Sequence, residues 1–152
     1  MILGIDVSHF NGRIDWQSLS QAGLIFAIIK AGGSEGGTHY RESTFEQNYA
    51  EAKKYGIQLG CYYVNGKQCC NTAEGLADGN HFVSLLKGKQ FEYPVYLDLE
   101  VPTRLTKKGN TDAAISFCET LENAGYYVGI YASDISGFKD RLELDRLTAY
   151  DK

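Results

Sequence analysis

No apolar run in these 152 residues approaches the roughly 20 that a membrane-spanning helix needs, so membrane insertion is not expected. The opening Met1-Ile2-Leu3-Gly4-Ile5-Asp6 has neither a basic start nor a long apolar stretch, so no signal peptide is expected. Basic residues are not in excess: 15 Lys and Arg stand against 19 Asp and Glu, for a net charge of −4. That argues against nucleic acid as the main partner, because phosphate binding wants a basic footprint. Cys61, Cys69, Cys70 and Cys118 form no C-x-x-C pair. Cys61 in a strand and Cys118 on a helix face read as free buried thiols. His9, His39 and His81 are scattered without ligand spacing, so no metal site is expected. Nor is there a linker, a low-complexity stretch, a charge block or a convincing repeat, which makes residues 1–152 a single domain.

Apolar residues at 43% and charged residues at 22% are ordinary for a globular protein. Seventeen glycines suit tight turns, and eleven tyrosines suit either a core or a sugar-stacking cleft. Apolar runs at 2–7, 25–30, 57–64, 93–99 and 126–132 predict five strands, and the near-continuous runs Phe26-Ala27-Ile28-Ile29 and Val95-Tyr96-Leu97 suit strands of a parallel sheet. Helical patterns lie between them. Asp15 opens one that ends near Gly23. Ser43-Thr44-Phe45-Glu46 has the form of a capping box before a helix stopped by Gly56. Asn71-Thr72-Ala73-Glu74 repeats that logic before a helix ended by Gly88, Thr111 opens another closed by Gly125, and a last one runs from Asp134 towards Leu142. Five βα units in a row define an α/β fold, either a doubly wound open sheet or a barrel.

The glycine cluster Gly32-Gly33-Ser34-Glu35-Gly36-Gly37 does not give G-x-G-x-x-G, and Gly66-Lys67 and Gly88-Lys89 lack the rest of a P-loop. The cluster matches G-x-S-x-G, but no helix follows Ser34 directly. The order Ser34, Asp78, His81 puts acid and base on one helix turn, which is poor triad geometry. A mobile glycine-rich loop is the better reading.

The strongest feature is Tyr93-Pro94-Val95-Tyr96-Leu97-Asp98-Leu99-Glu100. Alternation along a strand points Tyr96, Asp98 and Glu100 one way and Val95, Leu97 and Leu99 the other. Carboxylates two residues apart, with Cα atoms roughly 6.6–6.8 Å apart, are costly to bury while both are ionised. One of them should hold a proton near neutral pH, as a general acid for glycoside cleavage must. The competing reading is a solvated strand end with two ordinary acids. Asp6 adds a third carboxylate at the end of the first strand, followed by Ser8 and His9, and active sites of parallel α/β proteins collect at such strand ends.

Together these residues resemble glycoside hydrolase family 25, the muramidases. Asp6-Val7-Ser8 with Asn11-Gly12 and Ile14-Asp15-Trp16 looks like the family's opening. Further matches follow in order: F-A-I-I-K-A at 26–31, Phe45-Glu46-Gln47-Asn48-Tyr49, Gly60-Cys61-Tyr62-Tyr63, residues 93–100, and G-Y-Y-V-G-I-Y-A at 125–132. The resemblance implies a TIM-like β/α barrel of parallel strands and cofactor-free hydrolysis. The bond cleaved would be the β-1,4 link between N-acetylmuramic acid and N-acetylglucosamine in bacterial cell-wall peptidoglycan. It makes Glu100 the general acid, Asp98 the carboxylate assisting the substrate's N-acetyl group or a water, and Asp6 a supporting acid. It also puts Tyr62 and Tyr131 on the cleft wall, beside Tyr96.

The sequence departs from the family at two places. Family members usually carry Thr-Glu or Ser-Glu directly after the Lys-Ala of the second strand, where this chain has Gly32-Gly33 and delays Glu35. The family's sixth-strand tryptophan motif, its W-Q-Y strand and a late aspartate have no counterpart by residue 152, so the barrel is expected to be incomplete, with about five βα units. Its first and fifth strands would then be free edges open to self-association, and Tyr127, Gly129 and Tyr131 would line a half-open cleft. Two other functions compete: an inactive or carbohydrate-binding fragment, and a chitinase-like glycosidase. Against the latter, Tyr96 stands where the chitinase motif has its middle acid.

Overall fold

The computed structural model describes residues 2–100 and 106–150. Six strands form one sheet: β1 (Gly4–Val7), β2 (Phe26–Gly33), β3 (Tyr40–Arg41), β4 (Gln58–Val64), β5 (Val95–Asp98) and β6 (Val128–Tyr131). Its order is β1-β2-β4-β5-β6, all parallel, with β3 pairing antiparallel to β2. The five long strands are those expected; β3 was not, because a two-residue strand has no hydrophobic period to read. Parallel strands laid down in chain order, without the reversal of a doubly wound sheet, are the arrangement of a β/α barrel. β1 and β6 are the two ends of the path.

Right-handed crossovers in a constant direction put the helices on one face of the sheet. These are α1 (Trp16–Gln21), α2 (Phe45–Lys54), α3 (Thr72–Leu86) and α4 (Lys107–Asn123). The strand residues facing them form the core, with Leu99 just beyond β5: Ala27, Ile29 and Ala31; Leu59, Cys61 and Tyr63; Val95 and Leu97; Val128 and Ile130. Phe45, Phe82, Phe117 and Leu121 pack against them from the helices. α3 and α4 approach closely because α3 offers glycines: a Cβ at Gly75 would stand 2.1 Å from the Ala113 carbonyl oxygen. All four cysteines are buried and free. The single tryptophan, Trp16, pins α1 to α2 by donating its indole N–H to Asn48 Oδ1 at 3.2 Å.

Helix ends follow local chemistry, with two departures. Asp15 and Asn71 cap as expected, accepting from the N–H groups of Ser18 and Glu74. Gly56 and Gly125 end α2 and α4 in the left-handed region, at φ +76° and +90°. α4, however, starts four residues before Thr111, capped by the Thr106 hydroxyl, which accepts from the Gly109 N–H. Thr111 instead donates to the Lys107 carbonyl within the helix. No capping box forms at α2: the N-cap is Thr44, which makes no side-chain cap, and the Glu42 carboxylate accepts the Ser43 N–H. The element expected from Asp134 is a π-helical turn, Asp134–Lys139.

The inner face of the sheet is closed at its lower end by Phe26, whose ring stacks on Tyr93 with centroids 4.3 Å apart and planes 14° apart. Phe26 lies over Gly4, where a Cβ would come within 2.1 Å of the ring. Gly4→Ala is therefore expected to destabilise the chain by about 1–3 kcal/mol, the usual range for overpacking, read as a lower urea midpoint. Adding Phe26→Leu should recover most of the loss; a Gly4→Ala variant with an unchanged midpoint would show that the ring shifts freely.

Candidate active site

At the C-terminal ends of the strands the inner face forms a cleft of about 530 Å³. Asp6, Tyr62, Tyr96, Asp98, Glu100 and Tyr131 all line it, with Phe26, Ile28, Tyr93 and Ile130. The register accounts for their convergence. Asp6 pairs with Ile28, Tyr62 with Tyr96, and Asp98 lies between Val64 and Tyr131. Tyr127 does not follow: it is 64% exposed and sits with Lys89, Phe91 and Tyr126 at the other end of the strands. It falls one residue before β6, so its side chain lies below the cleft although its parity matches Tyr131.

The two neighbouring acids differ sharply in environment. Glu100 is exposed, whereas Asp98 is 6% exposed and its Oδ1 has no hydrogen-bond partner. Burial, then the charge of Glu100, push the Asp98 carboxyl up to about 7, against the opposing pull of Lys30. Within the pair, the buried member therefore keeps its proton to near neutrality. Burial also pushes the Tyr62 phenol up to about 12, so it is a neutral donor in the cleft. Tyr131 is raised as well, chiefly by the charge of Glu100.

Sequence reasoning missed a set of charged residues beside this pair. Lys30 is buried and bridges Glu35 Oε1 at 2.9 Å and Glu42 Oε2 at 4.0 Å. Glu42 Oε1 in turn lies 2.8 Å from His9 Nδ1. The available signal was Lys30 itself, a lysine in an otherwise apolar strand with the parity of Phe26 and Ile28.

The glycine-rich segment is tied down, contrary to the mobile loop expected. Ser34 is fully buried; its hydroxyl donates to Asp78 Oδ2 at 3.0 Å and accepts the Gly66 N–H at 2.7 Å. His39 Nε2 lies 3.0 Å from Asp78 Oδ1, and His81 pairs with the Tyr63 hydroxyl. Ser34 thus bonds an acid and no histidine, which suits an anchor and not a nucleophile. Among the described residues, no group of three or more His, Cys, Asp or Glu is placed to hold a metal ion.

Carboxylates gathered at the C-terminal ends of parallel strands, beside aromatic faces and with one acid buried, are the site architecture of a β/α-barrel glycosidase. The chain belongs to glycosyl hydrolases family 25, whose model matches residues 5–145. It is 40% identical over 83 residues to Lysozyme M1 of Streptomyces globisporus, covering 55% of this chain and 26% of that protein. It is 28% identical over 140 residues to the autolytic lysozyme of Clostridium acetobutylicum, covering 91% of this chain and 40% of that one. The crystal structure of the CTP1L endolysin superposes with a TM-score of 0.80 at 28% identity, covering 95% of this chain and 49% of that one. The chain therefore spans half or less of the length of these relatives.

Proposed function

We propose that residues 1–152 act as one catalytic domain, a muramidase that hydrolyses the β-1,4 bond between N-acetylmuramic acid and N-acetylglucosamine at the bacterial cell wall. The observation that carries this reading is the Asp98–Glu100 pair, one acid buried, with its carboxyl pushed up to about 7, and the other open to the cleft. Glu100 is the general acid that protonates the leaving oxygen. Asp98 steers the substrate's N-acetyl group or a water, and Asp6 adds negative potential where positive charge develops at the sugar. The chemistry needs a proton on Glu100 when the bond breaks, and because the charge of Glu100 acts on Asp98 the two titrate as a coupled pair, to which apparent values belong. Tyr62, Tyr96 and Tyr131 offer ring faces and phenol hydroxyls to the sugars. The reaction needs no cofactor. No helix among the described residues is long and apolar enough to cross a membrane.

Loss of turbidity of purified peptidoglycan, with new reducing ends on N-acetylmuramic acid, is the expected result. New reducing ends on N-acetylglucosamine instead would favour the chitinase-like alternative. A second reading, a domain that binds the glycan without cutting it, draws on Asp6 being exposed on β1, an end strand of the sheet. On that reading the chain would bind peptidoglycan with no release of reducing ends. The end strands β1 and β6 are also where a second copy would pair, which light scattering tests directly: a concentration-dependent dimer is expected, and a stable monomer would sink the pairing.

A further inference from the structure

Glu35 reaches the buried Lys30 only because of what surrounds it. A Cβ at Gly33 would stand 2.1 Å from Glu35 Oε2 and 2.7 Å from the Val64 carbonyl oxygen, and one at Gly32 would stand 2.3 Å from the Tyr40 carbonyl oxygen. The two glycines thus vacate the space into which the delayed glutamate folds back and against which β3 pairs. The Tyr40 phenol donates to the same Glu35 oxygen that bridges Lys30. Burial pushes the Glu35 carboxyl up, but Tyr40 and Lys30 outweigh it and hold it below the ordinary glutamate range, so it is ionised at neutral pH. The loop is fixed again at Ser34 and His39, both on Asp78.

We infer that Glu35 is a positioning residue for the carboxylate pair: its 2.9 Å bridge to the buried Lys30, which pairs in register with Tyr62 and through it with Tyr96, two residues from Asp98, sets how strongly that ammonium acts on Asp98. Lys30 favours the ionised form of Asp98, while Glu35 and Glu100 favour the protonated one. Among the described residues, Tyr62 from β4, Asp6 from β1 and Tyr131 from β6 also line the cleft with Asp98. With Glu35 neutral, Glu42 at 4.0 Å still offsets part of the Lys30 charge, but more of its field reaches Asp98 and the direct repulsion from Glu35 is gone. Both changes act in the same direction, towards an ionised Asp98. This role rests on the muramidase reading for its purpose, but its electrostatics do not depend on turnover.

The test is carbon-13 NMR titration of the Asp98 side-chain carboxyl in the full chain, assigned by its loss in Asp98→Asn. Glu35→Gln should lower the Asp98 midpoint by about one pH unit, at the low end of what one nearby charge does. Adding Lys30→Met to Glu35→Gln should raise it again, and Lys30→Met alone should raise it above the wild-type value. Glu35→Asp, which keeps the charge, should leave it nearer wild type than Glu35→Gln does. An unchanged midpoint in folded Glu35→Gln overturns the inference. So does a Lys30→Met midpoint that fails to rise, a measurement that stands even if Glu35→Gln does not fold. Absence of lysis by the wild-type chain would sink the muramidase reading and leave these titrations as they are.

Discussion

Glu100→Gln is expected to reduce hydrolysis of peptidoglycan by about 10²–10⁴-fold, the usual loss when a positioned general acid is removed. The amide keeps the shape and the hydrogen-bonding capacity of the acid but has no proton to give a leaving sugar. Its exposure on the cleft makes structural damage small, and the Glu100 carbonyl still accepts from Arg141 at 3.2 Å, because that contact is made by the backbone. Asp98→Asn should cost as much or less, since an amide can still steer the N-acetyl group. Initial rates of turbidity loss, checked by reducing-end release at saturating substrate, decide the matter. Full activity in folded Glu100→Gln would remove the role assigned to it and return the site to a binding surface.

Strand periodicity made much of this site legible. Once 93–100 is read as a strand, parity alone puts Tyr96, Asp98 and Glu100 on one face, and the same rule at Asp6, Tyr62 and Tyr131 brings six residues into one cleft. Parity says nothing of height along the strand, which is why Tyr127 was misplaced. Nor does it follow a chain after it leaves the sheet. Glu35 and Tyr40 reach Lys30 through a loop whose path depends on two missing side chains at Gly32 and Gly33 and on anchors at Asp78. The sequence set Ser34, Asp78 and His81 side by side only as a poor triad; the tertiary structure makes Asp78 the anchor of Ser34, His39 and Tyr63. The start of α4 was misread for a related reason. Its apolar period begins near Ala114, so the polar turn Lys107-Lys108-Gly109 gave no helical signal, although Thr106 caps it.

Asp98→Asn is expected to remove a pH dependence of stability. An unfolded aspartate ionises near 3.8, whereas folded Asp98 keeps its proton to about 7. Between those values the folded chain binds more protons than the unfolded one, so this residue makes stability fall as pH rises through the window, levelling off above it. At 1.36 kcal/mol per pH unit the full window is worth about 4 kcal/mol, an upper figure because Asp98 titrates coupled to the charge of Glu100. Asn carries no charge at any pH in this range, and it leaves one buried polar atom short of a partner much as the protonated acid does. The two proteins should therefore be similar in stability near pH 4 and diverge towards pH 8, where Asp98→Asn gains about 2–4 kcal/mol. Glu35 works in the opposite sense and in a lower window: held below its ordinary 4.5, it adds stability above that pH that is lost as acid protonates it. Urea unfolding of both proteins at pH 4, 5.5, 7 and 8 separates the two effects. Equal downward slopes from pH 4 to 8 in wild type and Asp98→Asn would mean that the cost of ionisation lies elsewhere. A slope confined to the wild type would show that the acid pair is built at the expense of the fold, the trade expected where a site needs a proton held against water.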